Sequence, residues 1–274
     1  MSFLTSRRRT KYLAMQTMAL ASLWLWGWCA WGNPVPPRLI TLTPHATEMV
    51  FAAGGGKHVV ATVDSSDYPA AAAALPKVGD GLSSSVEQIL LHQPDWVIGW
   101  RSPLTRQLEN LGINVWVSDP QTLSDIGKEI QAMANTFGDP SKAAVWLAAY
   151  QAELAQLGEQ VPDNQTVRAV VLASSDGRYV IGRHSLINDA LRVCGMRNVF
   201  DHTQAAAPQI SLEGLLAAKP DVIISTEPLM PKAVMGAPVF VVNADWLYRP
   251  GPRFVKAVAS LCDIARQVRE PNKK

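Results

Sequence analysis

Short apolar runs and short helical patterns alternate along two stretches of the chain, and a purely helical stretch separates them. In the first, "RLITLT" has the makeup of a strand, "HATEMVFAAGGG" the spacing of a short helix ended by glycines, and "HVVATV" that of a second strand. A helix from about Val86 to His92, a Pro-Asp turn, the buried strand "WVIGW" and the strand "INVWVS" follow. From about Leu123 to Gln160 the spacing is helical throughout, in "LSDIGKEIQAMANTFG" and "PSKAAVWLAAYQAELAQLGEQ", with a break at Asp139 and Pro140. The alternation then resumes. "VRAVVLA" and "RYVIG" read as strands, "SLINDALRVCG" as a helix ended by Gly195, "PVFVVN" as a strand and "GPRFVKAVASLCDIARQV" as a closing helix. Strands that alternate with short helices pair in parallel, so the expected class is α/β, with a helical spine between two lobes.

One phrase occurs in both lobes. "SVEQILLHQPDWVIGW" at 85–100 is echoed by "SLEGLLAAKPDVIIST" at 211–226. Packing explains its apolar residues: Ile89, Leu90, Leu215 and Leu216 are expected to face a sheet, and Val97, Ile98, Ile223 and Ile224 to lie in one. It does not explain Glu87 and Glu213. Either glutamate alone suits the first turn of a helix, where a carboxylate complements the dipole, and Ser84 with Glu87 fits a capping box. Two placed alike would present one acidic knob per lobe to a pseudo-symmetric basic partner.

Residues 1–32 have a different character. A basic flank, "RRRTK", precedes the tryptophan-rich apolar run "YLAMQTMALASLWLWGWCAWG", which is the pattern of a signal peptide cut after Gly32, although the run is also long enough for an uncleaved anchor. Removing it takes away Arg7, Arg8, Arg9 and Lys11 and no acid, which turns the formal charge of +2 into −2. Nothing in that balance favours nucleic acid as a partner. Two of the three cysteines remain, Cys194 and Cys262, and an even pair in an exported chain is a disulfide candidate; two buried thiols are the alternative.

The words "RLITLTPHATEMVFAAG", "SDYP", "VEQILLHQPDWVIGWRS", "GRHSLINDALRVCGMRNVF", "PQISLEGLLAAKPDVII" and "DWLYRPGPR", in that order, resemble the periplasmic substrate-binding proteins of ABC importers for cobalamin, haem and iron-siderophores. The resemblance covers about Arg38 to Val268 and is strongest to the cobalamin binders. It implies two Rossmann-like lobes joined by a single long helix: an N-terminal lobe at 33–122, a linker at 123–165 and a C-terminal lobe at 166–274. It implies capture of a cobalamin-like corrinoid between the lobes as cargo, with no resident cofactor or protein-held metal, and delivery by a monomer to an inner-membrane permease and its ATPase. Glu87 and Glu213 match glutamates that dock on permease arginines, Cys194 and Cys262 a disulfide pair, and Trp100, Tyr179, Trp246 and Arg249 positions that touch the corrinoid. Ser65, Gly81 and Ala207 stand where the best-known cobalamin binder has further aromatics, which implies a roomier or more polar cleft.

The residues alone support part of this. Trp100 and Trp246 follow strands, and ligands of open α/β sheets bind beyond the carboxyl ends of strands; Trp96 and Trp116 lie in strands and suit the core. His45, after the first strand, is either a helix-entry residue beside Thr47 and Glu48 or a cleft-facing polar contact, including an axial ligand to a metal in the cargo; His184 is a weaker candidate of the same kind. "GGGK" at 54–57 lacks the first glycine and the Ser or Thr of a phosphate loop. A haem or iron-siderophore cargo, the latter using Arg101, Arg183 and Arg249, is the alternative within the class. An exported enzyme is the remote one, for which no nucleophile or acid/base pair emerges.

Overall fold

A computed structural model of the chain describes residues 36–270, apart from 82, 162–164, 175, 184 and 229–236. The signal-peptide segment and His184 therefore lie outside the described residues. No helix among the described residues is long and apolar enough to cross a membrane.

The N-terminal sheet holds β1 (Leu39–Thr41), β2 (Val59–Thr62), β3 (Trp96–Gly99) and β4 (Asn114–Val117) in the order β2-β1-β3-β4, all parallel. The C-terminal sheet repeats it with β5 (Val167–Val171), β6 (Met196–Asn198), β7 (Val222–Ser225) and β8 (Val239–Val241), in the order β6-β5-β7-β8. Among the described residues the helices are α1 (Pro44–Ala52), α2 (Ala70–Ala73), α3 (Val86–Leu90), α4 (Pro103–Asn110), α5 (Leu123–Phe137), α6 (Pro140–Glu159), α7 (Leu186–Val193), α8 (Leu212–Ala217), α9 (Ala244–Leu247) and α10 (Phe254–Arg269).

The strand period of two sorts each sheet's residues between two cores. Leu39, Ile98, Ala169, Val171 and Ile224 face inward and join Ile126, Ile130 and Met133 of α5 and Val258 and Leu261 of α10 in one core that runs through both lobes. Ile40 and Val97 face a separate outer core, as do Val170 and Ile223 in the other lobe. Asp139 caps α6, accepting from the backbone N–H of Ser141 and Lys142, and Gly138 is tight enough against the Ala53 carbonyl that no larger residue fits. The helical spine is thus welded to both sheets. Trp96 and Trp116 pack at 5.3 and 6.0 Å from the Phe137 ring, as expected of core residues. Cys194 and Cys262 form a disulfide that ties the end of α7 to α10.

The repeated phrase folds the same way twice. Ser85 and Ser211 cap α3 and α8, each accepting from the backbone N–H three residues on. Just past the helices stand Gln93 and Lys219, whose φ angles of 48° and 47° turn the chain back. Asp95 then accepts from the backbone N–H of Arg38 at 2.8 Å, and Asp221 from that of Arg168 at 2.7 Å. Both arginines return guanidinium hydrogen bonds to the carbonyls at the end of the same helix. The Pro-Asp pair is therefore a clip between each short helix and the first strand of its lobe.

Three expectations are corrected. The N-cap of α3 is Ser85; Ser84 instead accepts from the backbone of Gly81, so it forms no capping box with Glu87. Only Ile89 and Leu215 are buried beneath their helices, while Leu90 and Leu216 are exposed, because consecutive helical residues point about 100° apart. Residues 178–182 make isolated bridges, Leu172 to Val180 and Tyr179 to Gln209, and the strand pairing with β5 falls instead at Met196–Asn198.

Candidate functional site

Facing carboxyl ends of the two sheets bound a groove with two adjoining cavities. The first, of about 280 Å³, is lined mainly by the N-terminal lobe, including His45, Ser65, Gly81 and Trp100, and is closed by Tyr248 and Arg249. The second, of about 290 Å³, is lined by Gln121, Ile181, Leu186, Ala207 and Phe254, and again by Tyr248. Tyr248 is the shared wall. Its hydroxyl donates to the Leu172 carbonyl at 2.5 Å, and burial pushes its pKa up.

His45 enters the first cavity at the start of α1. Its ring lies 5.4 Å from that of Trp100, and its Nε2–H donates to the Ser118 carbonyl at 3.3 Å. Burial pulls its pKa down to about 4 against that bond, so the imidazole is neutral at physiological pH. Trp100 leaves β3 with 40% of its surface exposed, which gives the cavity a free aromatic face. Gly81, at φ 88°, sits so close that a Cβ would collide with the Leu42 carbonyl oxygen. An aromatic therefore cannot stand at Gly81 on this backbone, whereas Ser65 is exposed on the cavity wall.

Ion pairs bridge the lobes beside this cavity. The Glu48 side chain, 1% exposed, accepts from Arg253 Nη2 at 2.6 Å and Nε at 3.0 Å. Arg249 holds Asp67 at 2.6 Å and Asp245 at 2.7 Å, and the Arg253 guanidinium lies 4.4 Å from the Tyr68 ring centroid. Burial pushes the Glu48 carboxyl up against the pull of Arg253. At Asp67 burial works the same way, but the Arg249 hydrogen bond and charge outweigh it and hold the carboxyl low.

The candidates named from sequence fall into three groups. His45, Trp100 and Arg249 come together at the first cavity. Tyr179 stands apart on the rim of the C-terminal lobe, 41% exposed. Trp246 packs on the main core with Lys256 Nζ 5.4 Å from its ring centroid, and Leu247 and Tyr248 face the cavity in its place. Positions two apart on a helical turn point some 200° from each other, so Trp246 and Tyr248 cannot share a face. Tyr248, Asp67 and Arg253 are not among the sequence candidates, and Glu48 is there only as a neighbour of His45 at the helix entry. The signal for Tyr248 was present in "DWLYRPGPR", whereas nothing local joins Glu48 to Arg253. Glu87 and Glu213 are exposed on α3 and α8 and make no ion pair among the described residues. Hydrogen bonds from its own backbone and from Ser211 hold the Glu213 pKa low. No three His, Cys, Asp or Glu side chains among the described residues converge as a metal site.

Two parallel-sheet lobes, one shared core and a groove between strand ends define a two-lobed binding protein, and comparison agrees. A family model described as "Periplasmic binding protein" matches residues 39–241, and the chain belongs to that family. It is 31% identical over 253 residues to the vitamin B12-binding protein of Vibrio parahaemolyticus, covering 86% of this chain and 92% of that one. It is 30% identical to the vitamin B12-binding protein of Pectobacterium carotovorum, covering 87% and 92%. Among solved structures, the periplasmic vitamin B12 binding protein BtuF of Vibrio cholerae superposes with a TM-score of 0.77 at 29% identity, covering 85% of this chain and 98% of that one. The periplasmic heme binding protein HutB of Vibrio cholerae shares the fold, with a TM-score of 0.72 at 19% identity over 83% of this chain and 98% of its own.

Proposed function

We propose that this protein captures cobalamin in the groove between its lobes, in the periplasm, and delivers it to an ABC importer of the inner membrane. The carrying observation is the near full-length similarity to proteins named for vitamin B12 binding. The groove suits such cargo, because Trp100 and Tyr248 offer aromatic faces to a broad macrocycle while few polar groups are left to fix its orientation. Cobalamin is cargo here rather than a resident cofactor, and the protein carries it without transforming it. His45 supports binding as a neutral wall residue, its Nε2–H already given to Ser118.

Calorimetric titration with cyanocobalamin tests the reading, and saturable one-to-one binding is the expected result. A haem titration followed through the Soret band is the control. Haem binding with no cyanocobalamin binding would overturn the cargo assignment and leave the family intact. Delivery rests on Glu87 and Glu213, which occupy matching places in the two lobes. Glu87→Ala with Glu213→Ala should leave corrinoid affinity within about twofold and abolish uptake, because neither glutamate lines either cavity of the groove while a basic partner would lose both anchors. Normal uptake by the double variant sinks the docking role.

A further inference from the structure

The groove does not end at its second cavity. Gln121 and Ser185 also line a third, of about 490 Å³, which continues between the start of α5 and the rim of the C-terminal lobe and is bordered by Arg183, Asp189, Arg192 and Asp201. Its lining changes from apolar to polar and charged. Most of those charges are already matched: Arg192 pairs with Asp189 at 2.8 Å, the other Asp189 oxygen accepts from the Leu123 backbone N–H at 2.8 Å, and Asp201 pairs with Arg197 at 3.4 Å. Arg183 is the exception. Among the described residues it has neither hydrogen bond nor ion pair, and it stands exposed on the wall of this cavity, two positions before Ser185, which lines both this cavity and the apolar one. Beside it, Ser185 Oγ accepts from the Ile187 backbone and retains a hydroxyl hydrogen to donate.

An apolar, aromatic groove leading to an unmatched guanidinium and a free hydroxyl fits cargo of one shape: a broad apolar body with a single anion on a tether. Resting on the cobalamin reading, we propose that the third cavity is the subsite for the nucleotide loop of a complete corrinoid, and that Arg183 binds its phosphodiester. Guanidinium and phosphate oxygens form charge-assisted hydrogen bonds that a neutral side chain does not replace. Arg183 would then be what separates complete corrinoids from ones that lack the loop.

The test is titration of the wild type, Arg183→Ala and Arg183→Lys with cyanocobalamin and with dicyanocobinamide, which has the macrocycle but neither nucleotide nor phosphodiester. Arg183→Ala should weaken cyanocobalamin binding about tenfold or more and leave dicyanocobinamide within about twofold, with Arg183→Lys in between. Equal losses for both ligands, or none for either, overturn the subsite and leave the cobalamin reading standing. Failure of the wild type to bind either corrinoid overturns that reading, and the subsite with it. Unchanged melting of the variants shows that a loss arises at the site, because an exposed, unpartnered arginine contributes little to stability.

Discussion

The helix behind the first strand of each lobe is built twice to one plan, and what feeds it differs. Both α1 and α7 run into a glycine of positive φ, Gly54 at 78° and Gly195 at 64°, and seven and six residues before it stand Thr47 and Glu48 in one lobe, Asn188 and Asp189 in the other. In the N-terminal lobe β1 reaches α1 through Leu42 and Thr43 alone, which draws His45, Thr47 and Glu48 beneath the surface. The buried carboxylate then reaches across the groove to Arg253. In the C-terminal lobe residues 172–185 intervene, and they carry the exposed Tyr179 and Arg183. Asp189 stays nearer solvent and serves Arg192 and the start of α5. A short connection makes a fixed wall and a long one makes a rim that can address cargo.

The largest break in that comparison should come from the paired acids. Glu48→Ala leaves Arg253 largely buried with the more distant Asp67, at 3.9 Å, as its nearest remaining counter-charge, and losing one member of such a pair costs about 3–5 kcal/mol. Asp189→Ala faces an arginine that is 68% exposed, so its ion pair should account for no more than about 1 kcal/mol. Urea unfolding of both variants measures the contrast, and equal losses would show that the two helices are anchored alike. A smaller loss is expected from the lobes' other asymmetry. Ahead of Gly195 stands the disulfide-bonded Cys194, whereas Ala53 occupies the matching place before Gly54. Replacing Cys194 and Cys262 by serine frees a span of 68 residues in the unfolded chain and should lower stability by roughly 2–4 kcal/mol.

Acid should act through the N-terminal lobe. Counted back from the same glycines, His45 matches Leu186, so only the N-terminal lobe carries an imidazole at this place. The His45 pKa is lowered from 6.5 to about 4 by burial, so the unfolded chain binds its proton first. Its contribution is fully present above pH 6.5 and is lost as pH falls toward 4, by roughly 2–3 kcal/mol at the lower limit. Unfolding of His45→Leu and wild type between pH 7 and 4 isolates it, because Glu48, whose pKa is raised, acts in the opposite sense in both proteins. The variant's curve should fall less steeply, and parallel curves would exclude His45 as the source.

The same asymmetry governed what the sequence could disclose. Strands such as Leu39–Thr41 and Val222–Ser225 are buried on both faces and read as apolar runs, and the glycine-ended helices carry their own stop signals. Met196–Asn198 has three residues with Arg197 exposed between two buried neighbours, too short for an alternation to register. "RYVIG" has the composition of a strand but only single bridges, because residues 178–182 form part of the rim instead of extending the sheet. Trp246 drew attention by size, yet the turn of α9 gives the groove to Tyr248. Glu48 and Arg253 are 205 positions apart, and only the completed fold brings them together.

The smallest effect sharpens the picture of the fixed wall. Ser65 and Gly81 both line the first cavity, but only Ser65 is exposed on a backbone of ordinary φ, since Gly81 has positive φ and is pressed against the Leu42 carbonyl. Ser65→Trp should therefore add a stacking face opposite the cargo and raise cyanocobalamin affinity by a few fold, about 0.5–1.5 kcal/mol for a well-placed aromatic pair, while stability stays within about 0.5 kcal/mol. Gly81→Trp should instead lose stability and binding together, because the backbone must move before the ring can enter. Calorimetry and thermal melting on the two variants separate the cases. If Ser65→Trp also weakens binding, the cargo already fills that side of the groove, and the polar residue there is part of the fit rather than a vacancy in it.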